Sequence, residues 1–241
     1  MSMGNIGMEY RWMNLCTERN GLRKLRRHGE GGSVNPVAVE RERKRIQELI
    51  KKYRYHLKDI FNMDETGLFY VMSPDTGLAN QAHSGVKGSK VRLTYALTAN
   101  ADGSEKLPPL IIGKAHKPRC FGNKSGFQLG FKYRNNAKAW MTTSIYQDWI
   151  TQWDRELQKK DRKILLLQDN FAGHVVPSGL KCIRVENFEP NLTSHIHPDD
   201  QGIIRCFKAH YRRRYVQRSI DRYDSGITPS NIYDIDQLGA M

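Results

Sequence analysis

Lys163-Ile164-Leu165-Leu166-Leu167-Gln168-Asp169-Asn170 is the stretch on which the fold turns. Residues 163–167 form a short, continuous apolar run. A run of that length fits a central strand buried on both faces, the kind found in parallel sheets. Asp169 follows directly and therefore stands at the strand's carboxyl end, where open α/β sheets place their ligands. An aspartate there can equally cap the turn that follows.

Upstream, Thr142-Thr143-Ser144 offers helix N-caps. Tyr146, Trp149, Ile150, Trp153 and Leu157 then fall at helical spacing and read as core packing. Residues 114–136 are rich in Lys, Arg, Gly and Asn and read as a loop. Residues 91–98 alternate apolar and polar and predict a half-buried strand. Asp102-Gly103 supplies a turn, and Leu110-Ile111-Ile112 returns as the second arm of a hairpin. Pro108-Pro109 makes that arm start late or lie at an edge. Residues 59–70 are mixed, and Thr66-Gly67 suggests a bend. Asn35-Pro36 opens a helix, with Val39, Ile46, Leu49, Ile50 and Tyr53 as its apolar stripe. Arg41-Glu42-Arg43-Lys44-Arg45 reads as its solvated face, with nuclear import or phosphate contact as functional alternatives. Before it, residues 29–33 read as a linker. Trp12, Leu15 and Leu22 could line a first short helix, next to the basic cluster Arg23, Lys24, Arg26 and Arg27.

Downstream, residues 183–188 form a weaker strand. Ile204, Phe207, Tyr211 and Tyr215 mark a helix face. Strands, helix, buried strand, strand and helix make an α/β domain with a mixed sheet.

The chain has 241 residues and a formal net charge of +14. That excess points to an anionic partner, nucleic acid first and a membrane surface second. No apolar run approaches the ~18 residues of a membrane span. Residues 1–10 lack a signal-peptide core. Cys16, Cys120, Cys182 and Cys206 are isolated, which signals neither a zinc site nor a disulfide framework and suits the cytosol or nucleus.

Two further carboxylate positions join Asp169. Asp64 lies in Asn62-Met63-Asp64-Glu65-Thr66-Gly67, and Asp199-Asp200 precede the last helix, where an N-cap role is the plain alternative. If the three segments converge, they can hold two Mg²⁺ or Mn²⁺ ions about 3.5–4 Å apart, the arrangement used for phosphoryl transfer on nucleic acid. Spacing alone does not choose between Asp199 and Asp200. His174, five residues after Asp169, could contact phosphate, orient a ligand or cap the local turn.

Three ordered motifs carry a family resemblance. They are Asn62-Met63-Asp64-Glu65-Thr66-Gly67-Leu68, then Leu165-Leu166-Leu167-Gln168-Asp169-Asn170 with His174, then Pro190-Asn191-Leu192-Thr193-Ser194-His195 running into Asp200-Gln201-Gly202-Ile203-Ile204 and Phe207-Lys208-Ala209-His210-Tyr211-Arg212. Together they resemble the DDE transposases of the pogo/Tigger group, relatives of centromere protein B and jerky-type proteins, with fungal pogo-like elements the nearest likeness. The resemblance spans about residues 20–241. It implies an RNase H-like mixed sheet flanked by helices. It implies Asp64, Asp169 and Asp200 as a metal-binding triad, supported by Asn170 and His174, and it prefers Asp200 to Asp199. The implied reaction is cut-and-paste transposition: hydrolysis of a phosphodiester at the element end, then attack of the freed 3′-hydroxyl on target DNA. The implied setting is nuclear, with DNA ends and target DNA as partners, no membrane, and room for a homodimer. Arg23, Lys24, Arg26, Arg27, Lys208, Arg212, Arg213, Arg214 and Arg218 are the candidates for phosphate contact.

The resemblance divides the chain into a helix-turn-helix remnant with linker (1–32), a connecting helix (33–57), the catalytic domain (58–218) and a cut C-terminal tail (219–241). It also exposes departures. Glu186-Asn187-Phe188-Glu189 is polar where the group is apolar, a cost to a core strand unless the groups are paired. His197 stands in place of the usual Gln, and Phe171 in place of a small residue. These departures hold open an alternative, a domesticated or decayed DNA-binding protein without catalysis.

Overall fold

The computed structural model describes residues 35–72, 90–190, 192, 196–227, 235 and 237–241. The readings placed on residues 1–34, including the basic cluster Arg23, Lys24, Arg26 and Arg27, lie outside the described residues, as does part of the C-terminal tail.

A six-stranded mixed sheet organises the unit. Its strands are β1 (Ile60–Leu68), β2 (Leu93–Asn100), β3 (Leu110–Gly113), β4 (Lys132–Asn135), β5 (Ile164–Gln168) and β6 (Ile183–Asn187), in the order β4-β3-β2-β1-β5-β6. β1, β2 and β3 run antiparallel in sequence, while β5 and β6 join β1 in parallel. The helices are α1 (Pro36–Tyr53), α2 (Thr143–Gln158), α3 (Ile204–Asp224) and the short α4 (Gln237–Ala240).

Alternation along β1 divides the core. Phe61 and Met63 face α2, where they meet Tyr146, Trp149, Ile150 and Trp153. Ile60 faces the other side, in a cluster with Ile46 of α1 and Leu165 and Leu167 of β5. Farther along that face, Leu68, Leu93 and Tyr95 pack with Tyr215 of α3 and with Ile235 and Ala240. The predicted caps hold: Asn35 accepts from the Val37 N–H at 2.9 Å, and Thr142 from the Ile145 N–H at 3.4 Å.

Four local expectations need correction. First, Thr66-Gly67 is no bend, because β1 stays paired with β2 as far as Leu68 opposite Leu93. The glycine leaves space instead: a Cβ there would lie 3.3 Å from the Arg92 guanidinium carbon. Second, residues 114–136 contain a strand. Polar β4 pairs in parallel with β3, so β3 is an inner strand, and of the two outcomes expected of Pro108-Pro109 it shows the late start, at Leu110. Third, the charged run on α1 is not simply solvated. Glu42 is fully buried and takes Arg45 at 2.7 and 2.8 Å, and Arg45 reaches on to Glu186 at 3.1 Å. Arg41 meets Glu189 at 2.6 Å.

The fourth correction follows from the third. The polar residues at the end of β6 are not erosion of the core. Glu186 and Glu189 have arginine partners, Phe188 is buried, and Asn187 accepts from Gln168 Nε2 at 3.0 Å. The cost of burying polar groups is met by pairing, as such groups require.

Candidate active site

Asp64 is placed by the sheet. Met63 stands opposite Gln168 in the parallel β1–β5 pair, and one step further along both strands come Asp64 and Asp169. Asp64 thus lies within β1, which runs on to Leu68 against β2, at the level where β5 ends and Asp169 follows. Asp64 is buried, and its Oδ1 accepts the Glu65 N–H at 2.7 Å.

The third segment is tied to the same place by Asn62. This buried amide donates from Nδ2 to the Leu167 carbonyl and accepts on Oδ1 from the Asp199 N–H, both at 3.2 Å. One side chain, two residues before Asp64, thus joins β5 two residues before Asp169 to the turn carrying Asp199 and Asp200. His197 adds a second tie. Its Nε2 donates to the Met63 carbonyl at 3.2 Å, and its buried ring stands edge-on to Phe188 at 5.2 Å. A histidine in place of glutamine keeps a donor at this point.

Residues Asp199–Ile203 form a π-helical turn rather than a capped start to α3; their N-cap, Pro198, makes no side-chain capping bond. π-helical segments are rare and concentrate at functional sites. Asp199 is fully buried. Asp200 follows on the turn, and its side chain lies outside what the structure describes.

His174 does more than cap a turn. Its Nδ1 lies 2.8 Å from Asp169 Oδ1 and its Nε2 lies 2.8 Å from Glu65 Oε1. Tyr146 packs on the ring with centroids 4.9 Å apart, and Phe171 meets it edge-on at 5.3 Å. Gly173 allows that contact, since a Cβ there would crowd the Phe171 ring. Asn170 is exposed beside Asp169. Among the described residues, Glu65, Asp169 and His174 form the group whose ligand atoms lie close enough, within 4.8 Å, to share one metal ion.

The charges explain the geometry. Burial alone would lower the His174 pKa, but the hydrogen bonds and charges of Asp169 and Glu65 outweigh it and raise the value to about 10. Burial alone would raise the pKa of Asp169, but the His174 contact more than offsets it and holds the acid below its ordinary value. The bridge thus favours the protonated form of His174, held between Asp169 and Glu65.

A group whose folded pKa is raised stabilises fully below its unfolded value and loses that contribution as pH climbs to the folded one. For His174 the loss runs from 6.5 to about 10. With metal chelated, urea-unfolding free energy is expected to fall across this window, and to fall less steeply in His174→Gln. Equal slopes in the two proteins would refute the bridge.

The predicted basic residues divide. Lys208, Arg212, Arg213 and Arg214 are exposed on α3, and Arg218 is partly buried. They extend from the π-helical turn as a cationic helix. Glu65 and Asn62 are the members that sequence reasoning passed over as functional. Glu65 and His174 are 109 positions apart, and no local pattern links them.

The chain matches the family model described as DDE superfamily endonuclease over residues 90–237, which takes in Asp169 and Asp200 but begins after β1. It is 35% identical over 236 residues to CENP-B homolog protein 2 of Schizosaccharomyces pombe, covering 93% of this chain and 45% of that protein. It is 35% identical over 221 residues to Tigger transposable element-derived protein 4 of Mus musculus, covering 89% of this chain and 42% of that one. The chain therefore spans less than half the length of these curated relatives. Among solved structures, a crystal structure of the Mos1 mariner paired end complex with Mn matches with a TM-score of 0.51 at 13% identity, covering 92% of this chain and 65% of that one. This likeness concerns fold, and the sheet order and flanking helices are RNase H-like as expected. With the family model covering more than half of its length and with relatives of the centromere protein B and Tigger type, the chain belongs to the DDE superfamily endonuclease family.

Proposed function

We propose that this chain carries the catalytic domain of a pogo/Tigger-type DNA transposase, which in the nucleus hydrolyses phosphodiesters at the element end and joins the freed 3′-hydroxyl to a target phosphate, releasing a 3′-hydroxyl on the cut target strand. The observation that supports the reading is that Asp64 on β1 and Asp169 just after β5 each follow the last paired residues of these parallel strands, with the Asp199 backbone tied to β1 and β5 through Asn62.

The residues fit a hard divalent cation. Asp169 Oδ1 is engaged by His174, the side chain is 29% exposed, and Oδ2 remains as an oxygen donor. Asp64, Asp169 and Asp200 would hold Mg²⁺ or Mn²⁺. When bound, such an ion supplies Lewis-acid charge to phosphate oxygens. The protein's part is positional. β1 fixes Asp64, Asn62 ties the third segment to β5, and His174 holds one face of Asp169. Lys208, Arg212, Arg213 and Arg214 offer a cationic surface for the phosphate backbone, with Arg218 behind them.

A second reading, a chromosomal DNA-binding protein without catalysis, draws on the relatives named for the centromere. It loses one support, because the polar stretch at 186–189 is paired rather than eroded. The test is nicking of supercoiled plasmid by the purified chain. We expect cleavage in Mg²⁺ or Mn²⁺ and none in EDTA. A folded chain that binds DNA with a steep salt dependence yet never nicks it would favour the second reading.

A further inference from the structure

We propose that Glu65 is a positioning residue which, acting through His174, decides which oxygen of Asp169 is presented to metal. The inference rests on the catalytic reading above, in which Asp169 is a ligand.

Asp169 lies just past the end of β5, with a partly exposed side chain. An unrestrained carboxylate there offers two equivalent oxygens and several rotamers. Here Oδ1 is engaged by His174 Nδ1 at 2.8 Å and lies 3.4 Å from the Phe171 N–H, which leaves Oδ2 to face a cation. The imidazole can impose this choice only if its own plane is held. Tyr146 and Phe171 restrict the ring, but neither sets its rotation within the plane. Glu65 does so, by engaging the far nitrogen at 2.8 Å.

Glu65 is well placed to be the fixed end. It sits on β1, paired with β2 opposite Ala96, two residues beyond the last β1–β5 pair. Successive strand residues point to opposite faces. Asp64 and Glu65 therefore point to opposite faces of β1, and Glu65 reaches Asp169 through a histidine 109 positions away in sequence. Partners that orient a ligand in this way typically change metal affinity or activity about 10–100-fold when removed.

The test uses the full chain, free Mn²⁺ measured by electron paramagnetic resonance, and nicking rate against Mn²⁺ concentration. Glu65→Ala is expected to raise the Mn²⁺ requirement about 10–100-fold, with much of the rate recovered at saturating metal. Glu65→Gln keeps an acceptor for His174 and is expected to stay within a few-fold of wild type. Glu65→Ala added to His174→Ala should cost little more than His174→Ala alone, since both act through one path. Wild-type Mn²⁺ affinity in a folded Glu65→Ala protein would overturn the inference. So would Glu65→Gln as impaired as Glu65→Ala, the result expected of a direct ligand. A wild-type chain that binds no Mn²⁺ would overturn the catalytic reading itself, and this inference with it.

Discussion

Asp169→Asn is expected to lower metal-dependent nicking by about a thousand-fold or more while leaving the protein folded, because metal stabilisation of a transferring phosphate is worth several kcal/mol. The substitution suits the question because it nearly preserves shape. Asparagine keeps an oxygen that can accept from His174 Nδ1, so the ring need not move. What it loses is the negative charge just after β5. The far-ultraviolet circular dichroism should match wild type, and DNA binding should persist because the basic face of α3 is untouched. Plasmid nicking at matched Mg²⁺ and Mn²⁺ reads the effect directly. More than about a tenth of wild-type rate would remove Asp169 from any proposed metal set, since so small a loss is under ~1.4 kcal/mol.

The fold was largely legible because its elements carry their own signals. The 163–167 run, the Thr142 cap with its aromatic stripe, Asn35-Pro36 and the 91–112 hairpin are all local patterns, and each became the element expected. The failures share a cause. Thr66-Gly67 looks like a bend until β2 and Arg92 are beside it. Lys132–Asn135 has no apolar pattern, because an edge strand needs only a neighbour's backbone. Glu186 and Glu189 look like damage until α1 brings Arg45 and Arg41 to them across more than 140 positions.

The candidate site divides in the same way. A strand end marked Asp169, and motif order marked Asp64 and Asp200. Glu65 and Asn62 gained roles only from tertiary register. A charge on a strand declares its partner only when the opposing element is known.

Asp154 is the strongest case of such a hidden partner, and Asp154→Ala is expected to cost about 3–5 kcal/mol of stability. On sequence it is an acid within the α2 stripe, between Trp153 and Leu157. In the structure it is 3% exposed and gathers three consecutive backbone donors that lead into β6. Oδ1 accepts from Lys181 at 3.1 Å, Cys182 at 2.8 Å and Ile183 at 3.0 Å, and Oδ2 accepts Gln158 Nε2 at 2.6 Å. Burial alone would raise its pKa, but these donors hold it below its ordinary value. Its contribution is therefore present above the usual carboxylate range and is lost as pH falls through the lowered value.

Alanine would leave the Cys182 and Ile183 N–H groups buried without an acceptor, at about 1–3 kcal/mol each, and would add a small void. For a domain of this size that loss lowers the melting temperature by roughly 10 °C. Asp154→Asn keeps one acceptor and should lose about half as much. Calorimetry at neutral pH with metal chelated measures both. A loss below about 1 kcal/mol for alanine would mean that water replaces the carboxylate, and that the start of β6 is open to solvent. Nicking per folded molecule, measured well below the melting temperature, should stay near wild type. Asp154 braces the start of β6, whereas Asn187, at the strand's far end, is the residue that meets Gln168 next to Asp169.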